Sequence, residues 1–150
     1  LSRLWFRRSQ KKKDARTPFP IPTELQYLFL EVTRQCNLRC VYCGSDCSPT
    51  WAEKELPTEE WIGVIRQIAE DFDPNKIMVA VTGGEAFVKE GIFDLFTELH
   101  RLGFPFGMVT NGTLVTKAMA ERLVATGIGR TPPHPTVMTL ASAFGPHSSP

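Results

Sequence analysis

All four cysteines of this 150-residue chain fall within twelve consecutive positions, in the segment CNLRCVYCGSDC at residues 36–47. Cys36, Cys40 and Cys43 have the spacing C-x3-C-x2-C, and Cys47 follows after three more residues. A cuboidal iron–sulfur cluster needs thiolates that converge on separate irons from a short, irregular loop. Three closely spaced cysteines can therefore bind three corners of such a cluster and leave the fourth iron open to a ligand that is not protein.

The same spacing is less suited to other common uses of clustered cysteines. Structural zinc sites usually combine two separated C-x2-C pairs, whereas here such a pair is formed by Cys40 and Cys43 alone. Disulfides are typical of oxidising compartments, to which nothing in this sequence points. The sequence leaves two roles for Cys47. As a fourth ligand it would close the cluster, and as a non-ligand it would leave one iron free.

Around this cysteine segment, apolar runs alternate with amphipathic ones, and the pattern predicts three strand–helix units. Strands are predicted at YLFLEVT (27–33), KIMVAV (76–81) and FPFGMVT (104–110). Helices are predicted at 58–72 with Thr58 as N-cap, at 92–102 ended by Gly103, and from Thr116 to Gly127. Three alternations of strand and helix predict right-handed βαβ units and a parallel sheet.

Residues that could bind a ligand or take part in a reaction follow each predicted strand. The cysteines come after the first strand, Gly83-Gly84-Glu85 ends the second, and Asn111-Gly112 closes the third. In barrel-like α/β enzymes the carboxyl ends of parallel strands carry the active site. We therefore expect these three segments to form one site.

These motifs together resemble the radical SAM superfamily. The resemblance is carried by C-x3-C-x2-C with Tyr42 before the third cysteine, and by Gly83-Gly84-Glu85, which is similar to the family's GGE motif. The Asn111-Gly112 turn is a third, weaker match. The glycine turn begins 40 residues after Cys43, as in the family, and the resemblance covers roughly residues 25–130. It implies an α/β fold, a partial (βα) barrel of radical SAM type with a parallel sheet, of which about three βα units are present.

The resemblance also implies cofactors and an activity. Cys36, Cys40 and Cys43 would hold a [4Fe–4S] cluster whose open iron binds S-adenosylmethionine (SAM). An electron from a reduced flavodoxin- or ferredoxin-like donor would cleave SAM to methionine and a 5′-deoxyadenosyl radical, which abstracts hydrogen from a substrate. The cofactor contacts it implies are the backbone of Gly83 and Gly84 at the methionine end, Glu85 at the ammonium group, Tyr42 near the adenine, and Asn111 as pocket lining or as a plain turn residue.

The segment LFLEVTRQCNLRCVYCGSDCSP most resembles the branch of the family that modifies peptides or proteins, often with a C-terminal SPASM extension carrying auxiliary clusters. No cysteine follows Cys47, so we expect that extension to be absent here. The family's core is a six-unit partial barrel, so we interpret residues 23–130 as its N-terminal half, with the sheet open at its third strand. Whether this fragment turns over alone is left open.

The two ends of the chain differ in composition from this middle part. Residues 1–22 include seven Lys or Arg and one acid within the first 20 positions, and we interpret them as a disordered basic arm with no nucleic-acid partner. Residues 131–150 contain five prolines and no charged side chain, and we interpret them as a disordered or non-native tail. The sequence has no membrane-spanning apolar run and no apolar stretch of a secretory signal, which predicts a cytoplasmic location.

Two other classes of protein remain compatible with the cysteine segment. In an iron–sulfur electron-transfer or structural protein, Cys47 would be the fourth ligand and no SAM would bind. In a zinc-stabilised interaction module, the basic arm would provide the binding surface.

Overall fold

The computed structural model describes residues 24–50, 55–128 and 137–139. Its elements are β1 (Tyr27–Thr33), α1 (Thr58–Asp71), β2 (Met78–Gly83), α2 (Ile92–Leu102), β3 (Phe106–Thr110), α3 (Lys117–Ala125) and β4 (Val137–Thr139), with short 3-10 helices at Pro74–Lys76 and Ala86–Val88. Within this part of the chain, no helix is long and apolar enough to cross a membrane.

The four strands form one parallel sheet in the order β1-β2-β3-β4. The predicted α/β fold, with a parallel sheet and alternating strands and helices, is therefore confirmed. The prediction that the sheet ends at its third strand is wrong, because Val137–Thr139 pair in parallel with Met108–Thr110. A strand of three residues inside a proline-rich segment is too short to produce a recognisable alternation of apolar and polar positions. The basic arm and the rest of the 131–150 segment lie outside the described residues.

The hydrophobic core lies on one face of this sheet. Alternate residues of the three long strands point to it, because side chains along a strand alternate between faces. The buried core residues from the strands are Leu30, Val32, Val79, Val81, Phe106 and Met108, and those from the helices are Ile65, Ile92, Phe93, Leu95, Phe96, Leu99 and Leu123. The ring of Phe96 on α2 stacks on that of Phe106 at a centroid distance of 5.7 Å. On the opposite face of β1, Tyr27 and Phe29 are exposed.

The helix ends follow the sequence signals with one exception. Gly103 ends α2 in the left-handed conformation, and the hydroxyl of Thr116 accepts a hydrogen bond from the Met119 backbone N–H at the start of α3, as predicted. Thr58 is not the N-cap of α1, which is Pro57. Instead, the buried Thr58 hydroxyl donates to the backbone oxygen of Glu90 at 2.5 Å. Thr58 therefore fixes the start of α1 against the loop that precedes α2.

A buried carboxylate also ties α1 to α2. Glu98 on α2 accepts from Arg66 Nε of α1 at 2.5 Å and from Arg101 Nε and Nη2 at 2.7 and 2.6 Å. The hydrogen bonds from Arg101, and then the one from Arg66, lower the pKa of Glu98 to about 2. The carboxylate is therefore charged in the folded protein at any pH well above 2.

Glu98→Gln is expected to lower the free energy of unfolding by about 1–3 kcal/mol, since it replaces charge-assisted hydrogen bonds by weaker neutral ones. The folded-state pKa lies below the unfolded value of about 4.3, so the stabilisation is present above about pH 4 and is lost as the pH falls toward 2. Urea unfolding from pH 7 to pH 2.5 measures both effects. Glu121→Gln, at an exposed site on α3, is the matched control. If the free energies of unfolding of Glu98→Gln and of the unsubstituted chain depended equally on pH, the low pKa of Glu98 would be contradicted.

Candidate functional site at the carboxyl edge of the sheet

The cysteine loop begins where β1 ends and is closed at its base by backbone hydrogen bonds. Ser48 N donates to Arg34 O and Cys36 N donates to Ser48 O, both at 3.2 Å, and Gln35 pairs with Ser48 in a short parallel bridge. These bonds hold the two ends of the loop side by side. The three predicted cluster ligands all lie within the closed loop.

Glu55 fixes the start of this loop from outside. Its carboxylate accepts from the Thr33 hydroxyl at 2.9 and 3.0 Å and from Arg34 N at 2.6 Å, and it pairs with Lys89 at 3.5 Å. Although burial acts to raise the pKa of Glu55, the hydrogen bonds from Arg34 and Thr33 and the charge of Lys89 hold it below its usual value. Glu55 thereby connects the end of β1 to the loop after β2.

Gly83 and Gly84 lie directly against the end of β1. Gly84 N donates to Thr33 O at 2.7 Å, and Glu85 N donates to Gln35 O at 2.9 Å. A Cβ atom on Gly84 would lie 2.0 Å from Gln35 O, and one on Gly83, which has φ +115°, would lie 2.3 Å from Thr33 O. Close approach of two backbones therefore requires both glycines, quite apart from the predicted approach to a ligand, which stays a prediction.

Glu85 is fully buried, and its carboxyl group binds the end of β3. Oε1 accepts from Phe87 N at 3.1 Å, Oε2 accepts from Asn111 N at 2.8 Å, and the Thr110 hydroxyl lies 2.9 and 3.0 Å from the two oxygens. Glu85 thus connects the turn after β2 to the turn after β3. Its predicted contact with the ammonium group of SAM stays a prediction.

Asn111 reaches the cysteine loop. Its side-chain Nδ2 donates to Asn37 Oδ1 at 2.8 Å and to Cys36 Sγ at 3.8 Å. The structure therefore brings Cys36, the glycine turn and Asn111 together at one edge, as the strand order predicts. Tyr42 is 84% exposed and, among the described side chains, is not packed into this group.

The four cysteines are free thiols in two different environments. Cys40 and Cys43 are exposed and Cys36 is partly exposed, whereas Cys47 is only 7% exposed and its thiol donates to Ser45 O at 3.6 Å. Among the described residues, no three His, Cys, Asp or Glu side chains converge on a point that could hold a metal ion. The loop would therefore have to draw its thiols together around a metal group.

The electrostatic environment separates Cys43 from Cys47. Backbone N–H groups of Cys47, Ser45 and Asp46 lower the pKa of Cys43, and the thiolate is the form that binds metals. Burial, followed by the charge of Cys43, raises the pKa of Cys47 to about 11. The donor set of Cys36, Cys40 and Cys43 thus fits an iron–sulfur cluster in ligand type and accessibility, and Cys47 is the least suited of the four.

Sequence reasoning missed three residues of this edge as binding partners of the site, namely Glu55, Thr110 and Thr113. The sequence Asn111-Gly112-Thr113 does carry a signal, because an asparagine followed by Gly and Thr favours a turn in which its side chain accepts from the backbone two residues on. Glu55 carries no comparable signal, since it lies 22 residues from Thr33 along the chain.

The fold and the site define the class of protein: an α/β protein with a parallel sheet and a three-cysteine loop after its first strand. The sequence profile of the radical SAM superfamily matches residues 30–135, which is more than half of the chain. The chain belongs to the radical SAM superfamily of enzymes.

Similar proteins of known name agree with this assignment. The chain is 32% identical over 101 residues to the PqqA peptide cyclase of Rhizobium meliloti (strain 1021) and to that of Granulibacter bethesdensis. Each match covers 67% of this chain and 26% of the relative. The chain therefore spans about a quarter of the length of these relatives.

Solved structures show the same fold. The crystal structure of Streptococcus suis SuiB bound to S-adenosylmethionine superposes with a TM-score of 0.55 at 22% identity, over 67% of this chain and 22% of SuiB. BtrN in an open conformation gives a TM-score of 0.57 at 18% identity, over 72% of this chain and 49% of BtrN.

Proposed function

We propose that Cys36, Cys40 and Cys43 hold a [4Fe–4S] cluster, and that the protein uses it with SAM to modify a peptide or protein. When bound, these cofactors supply a 5′-deoxyadenosyl radical that abstracts hydrogen from the substrate. The observation that carries the proposal is the position of three accessible thiols on one loop beside the Gly83-Gly84 turn and Asn111, in a chain of the radical SAM superfamily.

The residues of the site have distinct parts in this proposal. The loop carrying the three thiols is held at its base by Ser48 and by Glu55, which limits the positions that the thiols can reach. The Gly83-Gly84 turn lies next to the loop, and its main chain is assigned as the contact for the methionine end of SAM, on the side away from the Thr33 and Gln35 backbone that the glycines pack against. Tyr42 is exposed on the loop between Cys40 and Cys43 and is free to turn toward a bound adenine.

Cys47 is assigned as a non-ligand. Its burial, its hydrogen bond to Ser45 and its raised pKa all favour the neutral thiol over the thiolate that an iron would require. Three ligands then leave one iron free for SAM. The competing assignment, with four cysteine ligands and an electron-transfer cluster, needs Cys47 to leave its buried position.

The substrate class is argued from the relatives. Both PqqA peptide cyclases act on a peptide by name, and they share 32% identity with this chain over 101 residues. We propose a peptide or protein substrate for the whole protein, with a reduced flavodoxin- or ferredoxin-like protein as electron donor.

The cysteines provide the direct test. After anaerobic reconstitution with iron and sulfide, the chain is expected to bind about four irons and four sulfides, measured chemically and by visible absorption. Cys36→Ala, Cys40→Ala and Cys43→Ala should each abolish the cluster, whereas Cys47→Ala should retain it.

The response to SAM separates the proposal from an electron-transfer cluster. The electron paramagnetic resonance (EPR) spectrum of the reduced cluster should change when SAM is added to the unsubstituted chain and to Cys47→Ala. The proposal would be contradicted if Cys47→Ala lost the cluster and the spectrum of the unsubstituted chain did not respond to SAM. Zinc without sulfide in anaerobically purified protein would contradict it in favour of the zinc-stabilised module.

A further inference from the structure

The turn after β3 is joined to the first cysteine by a closed ring of side-chain hydrogen bonds. Asn111 Nδ2 donates to Asn37 Oδ1 at 2.8 Å, Asn37 Nδ2 donates to Thr113 Oγ1 at 2.7 Å, and Thr113 Oγ1 donates to Asn111 Oδ1 at 2.6 Å. Each of the three side chains therefore both donates and accepts within the ring. We call these three residues the amide ring.

The orientation of the Asn111 amide follows from a backbone group. Thr113 N can only donate, and it lies 2.9 Å from the Asn111 side chain, so the oxygen of that side chain must face it. The Nδ2 group then faces the opposite way, toward Asn37 and Cys36. Its two hydrogens have one acceptor each, Asn37 Oδ1 and Cys36 Sγ at 3.8 Å.

The amide ring is braced from the buried side of the site. Asn111 N donates to Glu85 Oε2 at 2.8 Å, and Gly112 N donates to the Thr110 hydroxyl at 3.0 Å, which itself lies within 3.0 Å of both Glu85 oxygens. Main chain and side chain of Asn111 are thus both held. Because the Asn111 amide is already held in place, it loses no conformational freedom when a cluster binds.

Cys36 Sγ accepts two N–H groups, from Leu38 N at 3.5 Å and from Asn111 Nδ2. Hydrogen bonds to cysteine sulfur favour the reduced, more negative form of an iron–sulfur cluster and so raise its reduction potential. We propose that Asn111 is a positioning residue that orients the Cys36 thiolate and raises the reduction potential of the cluster, with Asn37 and Thr113 fixing its amide. This inference rests on the proposed function of the three cysteines.

The test is a redox titration of the reconstituted chain, followed by EPR. Asn111→Leu keeps the size of the side chain and removes the donor, and it should lower the ratio of reduced to oxidised cluster at a fixed potential about five- to tenfold, where tenfold corresponds to about 59 mV for one electron. Asn111→Asp retains an acceptor for Thr113 N but places a carboxylate beside Cys36, so it should lower the potential further. Asn75→Leu, which removes an amide bound to Asp73 at the amino end of β2, should leave the potential unchanged.

A cluster-free measurement tests the amide ring itself. In urea unfolding of the apo chain, Asn37→Ala and Asn111→Leu should be non-additive, with the double variant losing less stability than the two single variants together. Additive losses of stability would contradict the amide ring. An unchanged reduction potential in Asn111→Leu would contradict the effect of Asn111 on the cluster.

The two proposals fail in different ways. If the unsubstituted chain binds a cluster that responds to SAM but Asn111→Leu has the same potential, the function stands and the inference is wrong. If the unsubstituted chain binds no cluster, the proposed function is wrong and the redox role of Asn111 with it, while the double-variant cycle still reports on the ring.

Discussion

Gly84→Ala is expected to lower the free energy of unfolding by about 3 kcal/mol or more, at the upper end of the cost of forcing extra atoms into a packed site. The added Cβ would lie 2.0 Å from Gln35 O and 2.7 Å from Gln35 C, and these are main-chain atoms that cannot rotate away. The strand ends must therefore separate. That movement breaks the hydrogen bonds Gly84 N to Thr33 O and Glu85 N to Gln35 O, on which the start of the cysteine loop depends.

The measurement is urea unfolding of the cluster-free chain, followed by circular dichroism. Gly63→Ala is the matched control, because Gly63 lies in the middle of α1 with nothing within 4 Å of an added Cβ. In that position alanine should stabilise the chain by about 0.5–1 kcal/mol, since glycine costs this much inside a helix. The same chemical change is thus expected to have opposite signs at the two sites. Equal stability of Gly84→Ala and the unsubstituted chain would show that the strand ends can move apart freely.

Gly84→Ala should also impair cluster binding more than its stability loss explains. Gln35 adjoins Cys36, so a displaced Gln35 carbonyl moves the first ligand of the loop. Under conditions where both variants are fully folded, reconstituted Gly84→Ala should contain less iron and sulfide than Gly63→Ala. If the two variants contained equal amounts of cluster at equal folded fraction, glycine at position 84 would be required for folding alone.

Local patterns in the sequence were sufficient to predict the order of the elements and the edge that carries the site. The β-rich segment 27–33 became a strand with the predicted bounds, and the helix at 92–102 ended at Gly103 as predicted. Both depend on periodicity and on a conformational preference of glycine, which are properties of neighbouring residues.

The partners of buried polar groups could not be predicted in the same way. Glu85 binds Thr110 and Asn111, about 25 residues away, and Glu55 binds Thr33 and Arg34, more than 20 residues away. Such pairs form because the tertiary fold places them together and because buried polar groups must be hydrogen-bonded. A sequence reveals that Glu85 follows a glycine turn, but the three-dimensional arrangement decides that its carboxyl group contacts β3.

Glu85→Gln is expected to destabilise the cluster-free chain by about 2–3 kcal/mol, which is the cost of losing a hydrogen bond to a carboxyl group and leaving a buried donor without an acceptor. Phe87 N donates to Oε1 and Asn111 N donates to Oε2, so the two backbone N–H groups use different oxygens. Glutamine has one oxygen and one NH2 group. Whichever way its amide is turned, one backbone N–H faces another donor, in a site that is fully buried.

The measurement is again urea unfolding, with Glu31→Gln as the matched control. Glu31 is exposed on β1, and its substitution should change the free energy of unfolding by less than about 0.5 kcal/mol.

The comparison separates two roles of Glu85. A residue whose sole task is to contact SAM would leave the stability of the cluster-free chain unchanged on substitution and would weaken SAM binding alone. A residue that braces the turns after β2 and β3 lowers stability before any cofactor is present, and because Asn111 N is one of its donors, the same substitution should displace Asn111 from Cys36.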